Sequence, residues 1–570
     1  MKRHLSSKKS IHFYFLVIIA ACFFLYGNSL RNEFVWDDEY LILTNPALRS
    51  LASIPSVFLH NLGYASSHRG LYYRPIQELS YFFDYQLWHL NPFGYHLTNI
   101  VLHASNACLV FLIGQAILRH KLASFLSAIL FLSQPMHLQA VTYISGRADL
   151  WAALFSLASF YFYVRLEGKD QSFLVAGLYT LALFSKEIVL VMPFAILAYH
   201  YFFQVKVTYK RIGLFLVPIA LFLFARAIAL NPALILKTNL NAVDPPFYGR
   251  FLLSFKALVF YGINLIWPFD IYMERTISPP RNLLDPLVLI GLLAWVFAIT
   301  LFLLKKRKNP EALFYLSWFL IFFLPVSNLI PFKFNFANHW MYIASVGFYG
   351  ALAHVLVRAI ERLVRSAKTR IVLAALLLSP FVIHFATLTV ERNKVWRNAY
   401  TLYSDLLKYR PQSYSGLFNL GNAYLKNGKL DKALEYYDRV LKMEGDKEGT
   451  ESKIYTNRSY IYLQREDYNA AERDLKKAIS MNPTTIKPYV NLGIVYRTDE
   501  RYEEAVDILQ EGLDLYPDDF EAYYQLGSLY LFLGEEDRAA TYFQKARKIS
   551  PHDERLERMM NRERMGSVLA

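Results

Sequence analysis

Asn491-Leu-Gly-Ile-Val-Tyr496 returns 34 residues later, slot for slot, as Gln525-Leu-Gly-Ser-Leu-Tyr530. Outward from this pair the recurrence widens. Gly421, Ser459, Gly493 and Gly527 hold one equivalent position, and Ala433, Ala471, Ala505 and Ala539 hold a second. Pro483, Pro517 and Pro551 close successive units. The later steps are 34 residues and the first is 38, because 443–452 carries an insertion. Small residues at fixed places let paired helices pack closely, and a unit this short buries its apolar face only by stacking on neighbours. Four units over about 412–552 therefore predict an α-solenoid, with a connecting helix at 391–411 and a tail at 553–570.

This period and these positions are the tetratricopeptide signature. Such an array implies a concave surface for a protein or peptide, without saying which one.

The rest of the chain is different in kind. At 570 residues it exceeds one ordinary domain, and its 55% hydrophobic, 16% aromatic and 19% charged content averages two unlike halves. Residues 12–390 are long apolar runs with short charged punctuation, whereas 391–570 is polar and helical in pattern. The net charge of +15 does not point to nucleic acid. Much of the basic excess lies between apolar runs, at Lys2/Arg3, Arg119/Lys121, Lys206/Lys210/Arg211, 305–308 and 358–370, which is how positive-inside topology reads. The two cysteines, Cys22 and Cys108, sit inside apolar runs and make no disulfide framework. The first run has a basic start but no small-x-small cleavage site, so it reads as an uncleaved helix.

A membrane span needs about 20 apolar residues. Candidates are 12–30, 98–118, 122–141, 149–165, 172–185, 187–203, 212–230, 251–267, 286–304, 312–330, 342–358 and 371–390. The basic loops do not accept all of them as crossings. Between Arg211 and the span at 286–304 the count must be odd, so 251–267, with Lys256 and Asn264 inside it, is expected to be re-entrant or interfacial. About eleven crossings follow, with a cytoplasmic N-terminus and extracytoplasmic repeats in an inner or plasma membrane. The long loop 31–97 is then external, and 79–90 reads as an amphipathic helix on the membrane face.

That external level gathers chemistry. Phe34-Val35-Trp36-Asp37-Asp38-Glu39-Tyr40 packs three acids beside aromatics just past the first span. One of them could accept the proton of an attacking hydroxyl, although a lone acidic pair is more often a solvated loop or a helix cap. Arg74, stiffened by Pro75, has the planar fork that matches phosphate, and it could equally be a headgroup anchor. Arg147 and Asp149 read either as an internal pair or as a phosphate contact. Lys186 and Glu187 break an apolar stretch, where a lysine is a natural phosphate partner. His339 opens a late span with the same two readings. Gln134, His137, Asn328 and Asn338 share this level. His96, Asn99 and His103 share a helix face, where helix packing is favoured over a metal site. Together these groups suggest an external site holding a phosphate-bearing amphiphile beside a carboxylate.

The ordered set Val-Trp-Asp-Asp-Glu-Tyr, Tyr-Tyr-Arg-Pro-Ile, His-Leu-Thr-Asn-Ile-Val-Leu-His, Gln-Pro-Met-His-Leu-Gln-Ala-Val, Ser-Gly-Arg-Ala-Asp-Leu, Ser-Lys-Glu and Asn-His-Trp-Met-Tyr-Ile-Ala-Ser-Val-Gly-Phe, then the repeats, is collinear over nearly the whole chain. It resembles the transmembrane and tetratricopeptide-repeat O-mannosyltransferase family. The resemblance implies an all-α glycosyltransferase C membrane fold and a polyprenyl-phosphate-linked sugar donor. It further implies inverting transfer to a hydroxyl, on protein Ser or Thr. It makes Asp38, or else Asp37, the base and Arg74, Arg147, Lys186 and His339 the phosphate holders, supported by Glu39, His96, Asn99 and Glu187. Animal members usually carry an arginine where this chain has His339, and a longer repeat array, so the short array implies a prokaryotic member. No cofactor is implied, a need for divalent metal is left open, and no nucleic-acid partner is expected. The competing readings are the same fold acting on a glycan or lipid, and a non-catalytic membrane scaffold whose repeats assemble partners.

Overall fold

The computed structural model describes residues 8–66, 72–165, 170–207, 209–230, 246–269, 271–305, 308–330, 335–445, 449–550 and 553–559. Among the described residues every regular element is a helix. They form two compact units, Met1–Leu402 and Tyr403–Ala570.

In the first unit the apolar runs become helices, but not all of them become single spans. The run 122–141 stops as a helix at Lys121–Ser133, and a 3-10 turn, Pro135–His137, follows. Pro135 cannot donate to the preceding turn, and the Gln134 side chain instead accepts from Met136 N at 3.2 Å. Likewise 187–203 begins as the 3-10 turn Glu187–Val191 and becomes helical only over Met192–Phe203. Among the described residues five helices are long and apolar enough to cross a membrane by length and composition alone: Ile11–Arg31, Pro92–Ile117, Phe247–Ile266, Pro286–Leu304 and Ala367–Val395. The segment 251–267, expected to be re-entrant or interfacial, is one unbroken helix, Phe247–Ile266, and so makes no re-entrant turn. Lys256 within it is buried, and its ammonium is paired with Asp285 at 2.9 Å.

The expected surface helix forms over Pro75–Trp88 and is inverted relative to a helix in water. Gln77, Glu78, Ser80 and Asp84 are buried, while Phe83 and Leu87, one turn apart, are 58% and 73% exposed. Apolar residues outward and polar residues inward suit a bilayer surface. Burial pushes the Glu78 carboxyl up to about 7, against weak bonds from Gly63 N and the Asn45 amide.

The second unit holds the expected helix pairs: Tyr414–Lys426 with Leu430–Lys442, Thr450–Gln464 with Tyr468–Met481, Ile486–Thr498 with Tyr502–Leu515, and Phe520–Phe532 with Glu536–Ile549. The repeated glycines are contact points. A Cβ on Gly421, Gly493 or Gly527 would lie 2.6 Å from Tyr437, Leu509 or Phe543 respectively. Ala433, Ala471, Ala505 and Ala539 are all fully buried. Pro551, and the part of the tail beyond 559, lie outside the described residues. Between the units' helical cores, 391–395 continues the long helix Ala367–Val395, and a separate helix runs over Ala399–Tyr409.

Candidate active site

The two adjacent aspartates have unlike surroundings. Trp36 takes a left-handed backbone (φ 57°), which is unusual for a bulky residue, and it turns the chain sharply ahead of them. Asp38 is 0% exposed. One of its oxygens accepts from Val35 N at 3.0 Å, and the other accepts from Ser145 N at 2.9 Å and the Ser145 hydroxyl at 2.5 Å. Burial raises its pKa to about 7 in spite of these bonds. Asp37 is only partly buried. Its carboxyl is pushed up by burial and held down by the hydroxyls of Tyr143 and Tyr40. Glu39 is exposed and opens the turn Glu39–Leu43. Asp38 therefore clamps the loop to Ser145, and Asp37 is the carboxylate with access. This reverses the preference for Asp38 drawn from the resemblance: an enclosed carboxylate with both oxygens engaged has no room for an incoming hydroxyl.

Of the expected phosphate holders, Arg147 is the one the structure removes. It is fully buried and spends its donors internally. Nε bonds Asn99 Oδ1 at 3.0 Å, Nη1 bonds Asp84 at 2.5 Å and Ser80 Oγ at 3.3 Å, and Nη2 bonds Tyr95 O at 2.9 Å. A guanidinium satisfied in this way ties the surface helix to the start of Arg147–Arg165 and cannot meet a ligand. Asn99 is part of the same tie, donating also to Val141 O and Tyr143 O at 3.1 and 3.2 Å. His96 is buried beside it in sequence and 2% exposed. His103, further along the face, bonds Tyr342 OH at 2.6 Å and Leu132 O at 3.1 Å, so this face does pack helices.

Arg74, Lys186 and His339, by contrast, come together from three distant stretches. Arg74 makes a two-pronged pair with Glu187 at 2.7 and 3.2 Å and lies over the exposed Tyr72 ring, 4.3 Å from its centroid. Lys186 pairs with both Asp149 oxygens at 2.7 and 2.8 Å. His339 Nδ1 lies 3.0 Å from Gln139 Oε1. Its burial first, and then the charges of Lys186 and Arg74, push its pKa well below the usual range, so the ring is neutral. Glu187 and Asp149 balance the two cations and orient them. Glu187, expected as a supporting residue, is the partner of Arg74. Sequence reasoning did not find Tyr143, Ser145, Asp84 or Gln139. The only local signal was that Ser145 precedes Gly146-Arg147, where a Cβ on Gly146 would lie 2.0 Å from Gln139 O. Among the described residues no group of three His, Cys, Asp or Glu side chains is placed to hold a metal ion.

Models described as tetratricopeptide repeat match residues 414–446, 452–485 and 484–551. The chain has homologues among the curated protein O-mannosyl-transferases. It is 26% identical over 517 residues to the protein O-mannosyl-transferase TMTC3 of Mus musculus, covering 82% of this chain and 54% of that protein. It is 26% identical over 565 residues to Tmtc3 of Drosophila melanogaster, covering 82% and 59%. The chain thus spans little more than half the length of these relatives. A solved structure titled "Crystal structure of MamA" is 25% identical over 26% of this chain and 85% of its own, with a TM-score of 0.24.

Proposed function

We propose that this protein is an integral-membrane glycosyltransferase. In this reading it moves a mannose-like sugar, with inversion, from a polyprenyl-phosphate donor to hydroxyl groups of protein Ser and Thr. The observation that carries it is the partly exposed Asp37 beside the clamped Asp38, together with Arg74, Lys186 and His339 brought together from three other stretches. The relatives' printed activity over 82% of the chain supports the sugar and the acceptor class.

The chemistry is a single displacement. The Asp37 carboxylate takes the acceptor's proton as its oxygen bonds the anomeric carbon. The bond from that carbon to the phosphate oxygen breaks, and its electron pair leaves with the phosphate. Arg74 and Lys186 stabilise the charge that develops there, which is where fixed donors act most strongly. Neutral His339 serves as a hydrogen-bonding group rather than a cation. The repeats recruit the acceptor protein, and the N-terminus lies in the cytoplasm with about eleven crossings and extracytoplasmic repeats.

Asp37→Asn in membranes supplied with a polyprenyl-phosphate sugar and a peptide should lose transfer by about a hundredfold to ten-thousandfold, the range for a general base. Transfer at the wild-type rate would sink the assignment. A reporter fused after Ala570 should be outside the cytoplasm, and a cytoplasmic signal would refute the crossing number.

A further inference from the structure

Gln139 decides which nitrogen of His339 carries the proton, and that decides what His339 can bind. The Gln139 amide Nε2 donates to Met273 O at 2.9 Å and Tyr272 O at 3.4 Å. Its Oε1 lies 3.0 Å from His339 Nδ1. The two carbonyls assign the orientation of the amide, because the flipped form would set Oε1 against two acceptors. Since Oε1 can only accept, Nδ1 is the protonated nitrogen of His339. In a neutral imidazole the other nitrogen then carries a lone pair and no proton. The ring is neutral here, as its burial and the nearby cations both oppose a further charge. Among the described residues His339 Nε2 has no hydrogen-bond partner, and the side chain is only partly buried. The lone pair is open to a ligand.

Bonding places it in the site. One short stretch, 139–149, seats three of the groups already described. Gln139 seats His339, Ser145 seats Asp38 through its N at 2.9 Å, and Asp149 seats Lys186 at 2.7 and 2.8 Å. The stretch folds back on itself tightly, since a Cβ on Gly146 would lie 2.0 Å from Gln139 O. His339 is therefore fixed to the same piece of backbone as the acidic loop and the lysine.

A phosphodiester that joins a polyprenyl chain to a sugar has no proton to give, so its oxygens are acceptors only. An acceptor-only nitrogen repels them. What it fits is a hydroxyl, and the group beyond the donor's phosphate is a ring bearing hydroxyls. We infer that His339 is a specificity-determining residue, whose Nε2 accepts a hydrogen bond from one hydroxyl of the transferred sugar, and is not a phosphate ligand. This rests on the proposed lipid-phosphate glycosyltransferase reading. Arg74 and Lys186 are left to hold the phosphate.

The test uses the full chain in detergent or membranes with a polyprenyl-phosphate mannose and analogues altered at each sugar hydroxyl in turn. Each hydroxyl is replaced by hydrogen or by fluorine, and binding is read by competition, which leaves the chemical step out. One deoxy analogue should bind about two- to tenfold more weakly than the parent, the range for one hydrogen bond. The matching fluoro analogue should bind no better, because fluorine accepts but cannot donate. His339→Ala should weaken the parent by the same factor and abolish its advantage over that one analogue. Bare polyprenyl phosphate should bind the variant and the wild type alike. If His339→Ala unfolds the protein, His339→Phe, which keeps a ring without a lone pair, takes its place. Recovery of binding by fluorine would overturn the inference, since it would make Nε2 a donor. Equal weakening of bare polyprenyl phosphate would overturn it too, as would a penalty that the variant leaves in place for every analogue. Failure of the wild type to transfer from the parent donor to a Ser/Thr peptide would instead refute the proposed function, and the inference with it. The two failures are distinguishable, because the first is seen only with a donor that the wild type uses.

Discussion

Both units contain arginine–carboxylate pairs, and the two sets could hardly differ more. Around the site of the first unit the partners are distant in sequence: Arg147 and Asp84 are 63 residues apart, Arg74 and Glu187 are 113 apart, and the Asn393 bond to Leu25 spans 368. In the second they stay within about one repeat: Arg458 reaches Asp474 across 16 residues, Arg501 reaches Glu472 across 29, and Arg465 reaches Asp431 across 34. The extremes of exposure follow the same split. Arg147 and Asp84 side chains are 0% and 6% exposed, whereas Arg501 and Glu504 are 31% and 51% exposed. A repeat array is quasi-one-dimensional, so its polar contacts are neighbour terms in solvent. The first unit must satisfy polar groups where water is scarce, and its pairs hold a three-dimensional site.

The sharpest way to break this contrast is Arg147→Met. It leaves Asp84 buried without its cation and should cost about 3–5 kcal/mol, read from thermal unfolding in detergent. A loss below 1 kcal/mol would mean that the pair is no tie. Next comes the pH dependence set by Asp38. Its folded pKa, about 7, is above the ordinary 3.8, so its stabilising contribution is present in full below about pH 4 and is lost as pH rises towards 7. Asp38→Asn should flatten the stability profile in that window, and an unchanged slope would show that Asp38 is not buried as described.

On the repeat side, Gly493→Ala drives a methyl to within 2.6 Å of Leu509 and should cost about 1–3 kcal/mol, confined to the second unit in hydrogen exchange. Protection lost in the first unit would contradict the independence of neighbour terms. The smallest effect is expected from Arg501→Ala. Its pairs are largely solvated, so about 0.2–1 kcal/mol should be lost, and less at high salt. A loss as large as that of Arg147→Met would erase the distinction between the units.

How far each unit was legible follows from the same physics. The repeats were readable down to single residues, since Gly421, Gly493, Gly527 and the four alanines are the observed contacts. In the first unit the apolar runs were visible as helices, but the 3-10 turns at Pro135–His137 and Glu187–Val191 were not, because polar residues such as Gln134, His137 and Lys186 mark an interruption without fixing its backbone form. The site was half legible. Arg74, Lys186 and His339 were singled out and do converge, whereas Arg147 looked the same in sequence and is an internal tie.

What the sequence determined by itself was everything local or periodic: the all-helical class, the repeat register, the apolar segments and the identity of the acidic loop. Those properties depend on spacing along the chain, and spacing can be read directly. Only the tertiary structure decided which of two adjacent aspartates is open and which cations are already spent. Access, pairing and bracing depend on what arrives from tens to hundreds of residues away, and no local pattern encodes that.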